Sequence, residues 1–259
     1  MKLKTLVLIL KTSEKVKEDA SKLRGYIANK YKEYPILHHH IEEAGYLYTY
    51  PRIQYKILEG TPVILGIEEG AEVLKKISAD ITELKLGKNA YKVESIQMTH
   101  LNAEFGPCRE NHHYKFVTHW LALNPSNYER YKGITDWKEK KEFLNGILVG
   151  NILSMCKSLD YVVTSKLYVH SRLDEENVVY KAIPLIGFTG EFRGNFQIPD
   201  FFGLGKGVSQ GFGVVKDARQ QIQSDNTGKG AKGKIYQGVM PNYLRENATD
   251  RNRGKACSE

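Results

Sequence analysis

The sequence has little cysteine. Cys108, Cys156 and Cys257 are far apart, and none belongs to a CxxC pair. That excludes a zinc ribbon or a thioredoxin-like redox motif, and the odd number argues against a disulfide framework. The expected setting is a reducing cytoplasm. Long apolar runs are also missing: no stretch approaches the ~18 residues that a membrane-spanning helix needs. Leu6 to Leu10 is a short apolar run behind Lys2 and Lys4. No small-residue cleavage site follows it, so it reads as a buried first strand and not as a leader. Two nucleotide-binding signatures are absent as well. Gly205-Lys206 is followed by Gly207, where a Walker loop needs Ser or Thr. A dinucleotide fingerprint would open a helix early in a βαβ unit, with a different glycine spacing.

Acidic residues are outnumbered, 30 against 38 basic ones, for a net charge of +8. A basic balance fits a polyanionic partner, either nucleic acid or an acidic membrane surface. The 259 residues suffice for one large domain or two of ordinary size, and 41% hydrophobic content is that of a soluble globular protein.

Glycine is concentrated in one place. Gly203, Gly205, Gly207, Gly211 and Gly213 fall within eleven residues, with Lys206 among them and Lys216 beyond. Glycine lets backbone approach a ligand closely, and successive N–H groups can form an anion-binding concavity. The stretch is therefore either a phosphate-gripping loop or a run of tight turns between strands. With the mononucleotide and dinucleotide motifs set aside, a polymeric phosphate backbone is the ligand left for the first reading.

Along the chain, residues 3–10 read as a strand. Ser13 reads as a helix cap with Glu14 in the first turn. Val16, Ala20, Leu23, Ile27 and Tyr31 recur at helical spacing. Residues 52–58 alternate, with Ile53, Tyr55 and Ile57 on one face and Arg52, Gln54 and Lys56 on the other. A turn at Glu59-Gly60-Thr61 leads to a strand from Val63 to Ile67, and a short helix runs around Gly70 to Ile77. Strand patterns return near 82–87 and 91–98. This order predicts a ferredoxin-like unit, one face covered by helices and the other open to ligands, as in many RNA-recognition modules.

The second half begins again with a strand from Tyr114 to Leu123. Asp136 and Glu139 form a capping box for a helix to about Leu159, with the stripe Trp137, Leu144, Ile147, Ile152 and Met155. Strands follow near 165–172, 177–186 and 190–198, and a last one from Phe212 to Lys216. The second helix of this half is not evident. The expected fold is α+β: two tandem ferredoxin-like units with a C-terminal glycine-rich loop. Its parts are residues 1–108 carrying the histidines, 109–216 with the glycine loop, and a basic tail, 217–259, whose composition predicts disorder.

Leu37-His38-His39-His40 is the other unusual feature. In an extended segment His38 and His40 point to the same side, and histidine gives and takes protons near neutral pH. An acid/base pair, polar surface histidines, and a metal site completed by His100, His112 or His113 are the three readings. No ligand-spaced cluster favours the last.

Together these features resemble the CRISPR-associated repeat-processing endoribonucleases, the sixth Cas family, within the repeat-associated mysterious protein superfamily. The likeness is carried by Leu37 to Tyr46, by Tyr50-Pro51-Arg52-Ile53-Gln54-Tyr55-Lys56, by Ile67 to Ala71 and by Gly203 to Gly213. It implies cofactor-free and metal-independent cleavage of precursor CRISPR RNA within repeats. The 2′-hydroxyl attacks the adjacent phosphate and leaves a 2′,3′-cyclic phosphate and a 5′-hydroxyl. Carried onto this chain, His38 and His40 are the acid/base candidates, with His40 favoured. Tyr46 or Tyr48 would position the nucleophile or a phosphate, and Lys30 or Lys56 would stabilise developing charge. Arg193, Lys206 and Lys216, with Gly203, Gly205, Gly207, Gly211 and Gly213, would contact the RNA. Phe201-Phe202 reads as core. The partners implied are CRISPR repeat RNA and other subunits of a CRISPR effector complex, without a membrane, for a monomer or homodimer. Two rivals are a non-catalytic RNA-binding subunit of such a complex and a histidine-metal hydrolase.

Overall fold

The computed structural model describes residues 1–38 and 49–218. Strand β1 (Lys2–Thr12) lies at the centre of the first sheet. Helix α1 (Ala20–Lys30) follows, then a 3-10 turn at Pro35–Leu37. Next come β2 (Ile53–Leu58), β3 (Thr61–Ile67), helix α2 (Glu69–Ile77), β4 (Glu83–Leu86) and β5 (Asn89–Glu104). The sheet order is β2-β3-β1-β5-β4, with antiparallel neighbours throughout. Without the small β4 this is the ferredoxin-like arrangement.

The alternation of β1 explains where its faces go. Leu6, Leu8 and Leu10 join Leu23 and Ile27 of α1 and Leu74 and Ile77 of α2 in one core. Leu3 and Val7 join Leu65 and Ile67 of β3 in another, which they share with Phe105, Tyr114, Phe192 and Phe202 of the second half. The far face of the first sheet is therefore not open to ligands, contrary to the expectation from the module class. Apolar residues on both faces of β1 and β3 require cover on both sides.

The second half runs β6 (Gly106–Trp120), α3 (Pro125–Gly133), α4 (Trp137–Ser158), β7 (Val169–Tyr180), β8 (Ile183–Gln197) and β9 (Val215–Asp217). Its order, β7-β8-β6-β9, repeats the permutation of the first sheet. No second α-helix connects β8 to β9. The glycine-rich segment takes that place, with a 3-10 turn at Val208–Gln210.

Several sequence expectations are corrected. Helix α1 starts at Ala20, not near Ser13. Asp19 caps it by accepting the Ser21 N–H at 2.9 Å and the Lys22 N–H at 3.2 Å. The three strands expected between 165 and 198 are two long ones, since the pattern breaks at residues 181 and 182, a tight turn with φ of 52° and 63°. Strand β6 begins earlier than expected and β5 runs on to Glu104. The last strand is only Val215–Asp217. The α4 cap holds as expected: Asp136 Oδ1 accepts the Glu139 N–H at 2.9 Å. Its buried stripe is Leu144, Leu148, Ile152 and Met155, whereas Trp137 is 66% exposed at the first turn. Phe202 is core, fully enclosed, and Phe201 is partly buried against it. Among the described residues, no helix is long and apolar enough to cross a membrane.

Gly25 sits inside α1 with nothing within 4 Å of the place a Cβ would occupy. Glycine in a helix interior costs about 0.5–1 kcal/mol relative to alanine. Gly25→Ala should therefore raise the unfolding free energy by about that amount in urea titrations.

Candidate functional site

The site is built on α1. Ser21, Arg24, Gly25 and Ala28 lie on one face of that helix, beside the apolar stripe that faces the sheet. With His38 and Gln210 they line a cleft of about 240 Å³. Pro35 starts the 3-10 turn, where its fixed φ suits the first position. The turn brings His38 to its end, with the His38 N–H bonded to the Pro35 carbonyl at 2.9 Å. Two further bonds hold this segment: Tyr55 Oη donates to the Leu37 carbonyl at 3.3 Å, and Arg24 Nη2 donates to the His38 carbonyl. The other arm of the same guanidinium crosses to the glycine-rich segment, where Nη1 donates to Ser209 Oγ at 3.2 Å. One arginine thus ties the histidine-bearing turn to the loop of the second half.

The loop itself is held by backbone packing. Gly213 has φ 65°, and a Cβ there would lie 1.9 Å from the Leu204 carbonyl oxygen. Gly205 has φ 83°, and its Cβ would meet the Trp120 indole nitrogen at 2.6 Å. Both positions therefore need glycine for the loop's own conformation. The N–H groups of Gly203, Lys206, Gly211 and Gly213 are spent on protein acceptors: Gln54 Oε1, Leu121 O, Val208 O and His119 O. That donor set contributes nothing to an open anion cradle. Lys206 lies over the Tyr180 ring at 5.5 Å, and Lys216 over the Phe201 ring at 4.5 Å. Arg193 is exposed on β8, paired in register with His113 and His170.

Beneath the loop lies the principal departure from the sequence reading of β2. Gln54 and Lys56 face away from Ile53 and Tyr55 as expected, yet both are completely enclosed. The glycine-rich segment covers that face. Gln54 Oε1 accepts the Gly203 N–H at 3.1 Å and Lys56 Nζ at 3.2 Å. Tyr50 Oη donates to the Gly203 carbonyl at 2.8 Å. Burial drives the Lys56 amine well below the usual lysine range and pushes the Tyr50 phenol up. Lys56 belongs to the loop's anchor and has no surface on the cleft.

The remaining expected residues are dispersed. Lys30, at the last turn of α1, donates to the Asp80 carbonyl at 2.7 Å and does not line the cleft. His40, Tyr46 and Tyr48 lie outside the described residues, as does the tail beyond 218. His112 and His113, offered above as metal ligands, face carboxylates: His112 Nδ1 is 3.6 Å from Asp217, and His113 Nε2 is 2.8 Å from Glu191. Among the described residues, no group of three or more His, Cys, Asp or Glu side chains is placed to hold a metal ion. Arg24 was missed in the sequence because nothing marks it there; it is one of many charged residues on a helix. Ser209 and Gln210 carry no signal of their own among the surrounding glycines.

Lys56 carries a pH signature. The unfolded chain keeps its amine protonated up to the ordinary value of 10.5, while the folded chain releases that proton at lower pH. The unfolded state then binds the extra proton, so stability rises with pH across that interval and falls as pH drops through the folded value. Lys56→Met should raise the thermal midpoint and flatten its climb with pH below 10.5, measured by calorimetry at fixed ionic strength.

The model of the Cas6b N-terminal domain matches residues 1–104, and that of the Cas6b C-terminal domain matches 106–218. An uncharacterized protein of Methanocaldococcus jannaschii is 46% identical over 141 residues, 54% of this chain and 95% of that protein. The crystal structure of a Cas6b is similar at 38% identity and a TM-score of 0.77, covering 84% of this chain and all of the other. A second crystal structure, of a CRISPR RNA processing endoribonuclease Cas6b, is 35% identical with a TM-score of 0.68, at 84% and 100% coverage.

Proposed function

The chain belongs to the Cas6b family, and from that premise we propose that it is an endoribonuclease that cuts precursor CRISPR RNA within its repeats. The reaction is attack by a ribose 2′-hydroxyl on the adjacent phosphate, without a metal ion, giving a 2′,3′-cyclic phosphate and a 5′-hydroxyl. The observation that carries this reading is the cleft itself. His38 and the loop residue Gln210 border one opening, and Arg24, which also lines it, donates to the His38 carbonyl and to Ser209 Oγ of the loop. An imidazole thus lies beside a cation, next to the loop that carries Lys206.

Three jobs need residues. A base removes the 2′-hydroxyl proton, an acid protonates the departing 5′ oxygen, and a cation meets the charge of the phosphorane between. His38 and His40 take the first two, with the order between them unassigned. Tyr46 or Tyr48 positions the nucleophile. Lys30, bonded to the Asp80 carbonyl, and Lys56, enclosed under the loop, both lie off the cleft where the electrostatic role is needed. Arg193, Lys206 and Lys216 contact phosphates away from the cut, with the RNA lying against the loop from Gly203 to Gly213. Such contacts position RNA without reading its bases.

The test is a labelled repeat RNA incubated in EDTA beside the same RNA with one 2′-deoxy at the cut site. The expected result is cleavage of the first and not the second. Binding without cleavage of either would favour a non-catalytic RNA-binding subunit, and cleavage abolished by chelator would favour a metal hydrolase. His38→Ala should slow single-turnover cleavage by about 10²–10⁴-fold, the usual range for a general acid or base. Lys206→Ala should leave the cleavage position unchanged and reduce the salt slope of binding by about 0.7 for one lost contact to single-stranded RNA.

A further inference from the structure

We propose that the cleft on α1 seats the scissile phosphate and that Arg24 is the cation that holds it, a reading that rests on the ribonuclease activity proposed above. A guanidinium carries five N–H donors. The His38 carbonyl and Ser209 Oγ use two of Arg24's, and both acceptors are neutral. Among the described residues, no carboxylate lies within ion-pairing distance of it. Among the described residues its charge thus meets no carboxylate, and it acts on the enclosed Tyr55 phenol, whose rise from burial it opposes. An arginine held from two sides beside a solvent-filled opening is pre-organised for an anion with oxygens to spare. Charge-assisted bonds from a guanidinium to phosphate are about twice as strong as those to neutral acceptors.

The room is there as well. Gly25 and Ala28 line the opening beside Arg24 with small side chains, and a Cβ on Gly25 would touch nothing within 4 Å. Neither lysine expected to meet the developing charge lines this opening: Lys56 is enclosed under the loop, and Lys30 reaches Asp80. Arg24 is the cation that does line it, beside His38.

The step balances without any further reagent. The 2′-oxygen gives its proton to a base and forms a bond to phosphorus. The bond from phosphorus to the 5′ oxygen then breaks, and that oxygen takes a proton from an acid. Between these events the non-bridging oxygens gain negative charge, and Arg24 donates to them there. Because the same guanidinium holds the His38 carbonyl, a phosphate seated on it is also fixed relative to the histidine-bearing turn.

The experiment is single-turnover cleavage of a repeat RNA, unmodified or with sulfur replacing one non-bridging oxygen of the scissile phosphate, by the wild-type chain, Arg24→Gln and Arg24→Lys. Removing one oxyanion donor typically costs about 10²–10³-fold in rate. A loss of that order is expected for Arg24→Gln, with little recovery in Arg24→Lys, which has no planar fork. One sulfur diastereomer should slow the wild-type chain and slow Arg24→Gln much less, because the contact is already gone. If Arg24 only supports the His38 backbone, the sulfur effect is the same in both proteins, and the proposal is overturned. Gly25→Leu keeps Arg24 and fills the cleft. It should fold with an undiminished thermal midpoint and lose cleavage, and full cleavage by this variant also overturns the proposal. A wild-type chain that binds the RNA but does not cut it defeats the ribonuclease reading instead. The cleft is then judged by binding alone: equal affinity and equal salt slope for the wild type and Arg24→Gln reject it, and a weaker, flatter response in the variant upholds it as a phosphate seat.

Discussion

The backbone amide of Gly203 is gripped from the first half of the chain. Its N–H reaches Gln54 Oε1 at 3.1 Å and Tyr50 Oη at 3.2 Å, and its carbonyl accepts the Tyr50 hydroxyl at 2.8 Å. Gln54 is fully buried and Tyr50 partly so, and a buried polar group without a partner costs about 1–3 kcal/mol. The satisfied set therefore penalises any movement of the loop away from β2. Lys56 completes it by donating to the same Gln54 oxygen at 3.2 Å. A desolvated amine there is expensive, which makes the anchor sensitive to every partner it holds.

From that anchor the rest of the site follows. In the first half, α2 covers its sheet after the split βαβ unit. In the second, the corresponding connection, from β8 to β9, is the glycine-rich segment, which bonds to Leu121 and His119 of its own half and also lies on the face of β2. Its 3-10 turn then comes beside α1, where Arg24 meets Ser209 on one side and the His38 carbonyl on the other. The loop that replaces a helix thus joins the two halves and forms one wall of the cleft. Its glycines are first of all a packing requirement: at Gly213 and Gly205 any side chain would run into Leu204 or Trp120.

Much of this architecture could be read from residue patterns, and the parts that could not share a cause. The strand of β1, the hairpin of β2 and β3 and the capped helix α4 all have local signatures: periodicity, a turn dipeptide, a capping box. The alternation of β2 also divided its side chains correctly between two faces. What it could not indicate was that the polar face is buried, since that depends on a segment some 150 positions later in the chain. Arg24 is the same case. Helical spacing places it off the apolar stripe, which usually means solvent, and only the tertiary fold brings Ser209 and His38 to it. The likeness of the triple histidine and the glycine loop to a known family indicated where to look, while the physical link between them is a residue that neither motif contains.

In the proposed mechanism a single site spans the two halves, with the RNA lying between α1 and the glycine loop. Photo-crosslinking tests it most directly, using a repeat RNA with one photoreactive nucleotide at the cut position and a 2′-deoxy to prevent turnover. Mass spectrometry then identifies the modified peptides. Adducts on peptides from both the α1-to-His38 segment and the Gly203–Gly213 loop are the predicted result. Adducts confined to one half of the chain, with the other protected by nothing and modified by nothing, would contradict it.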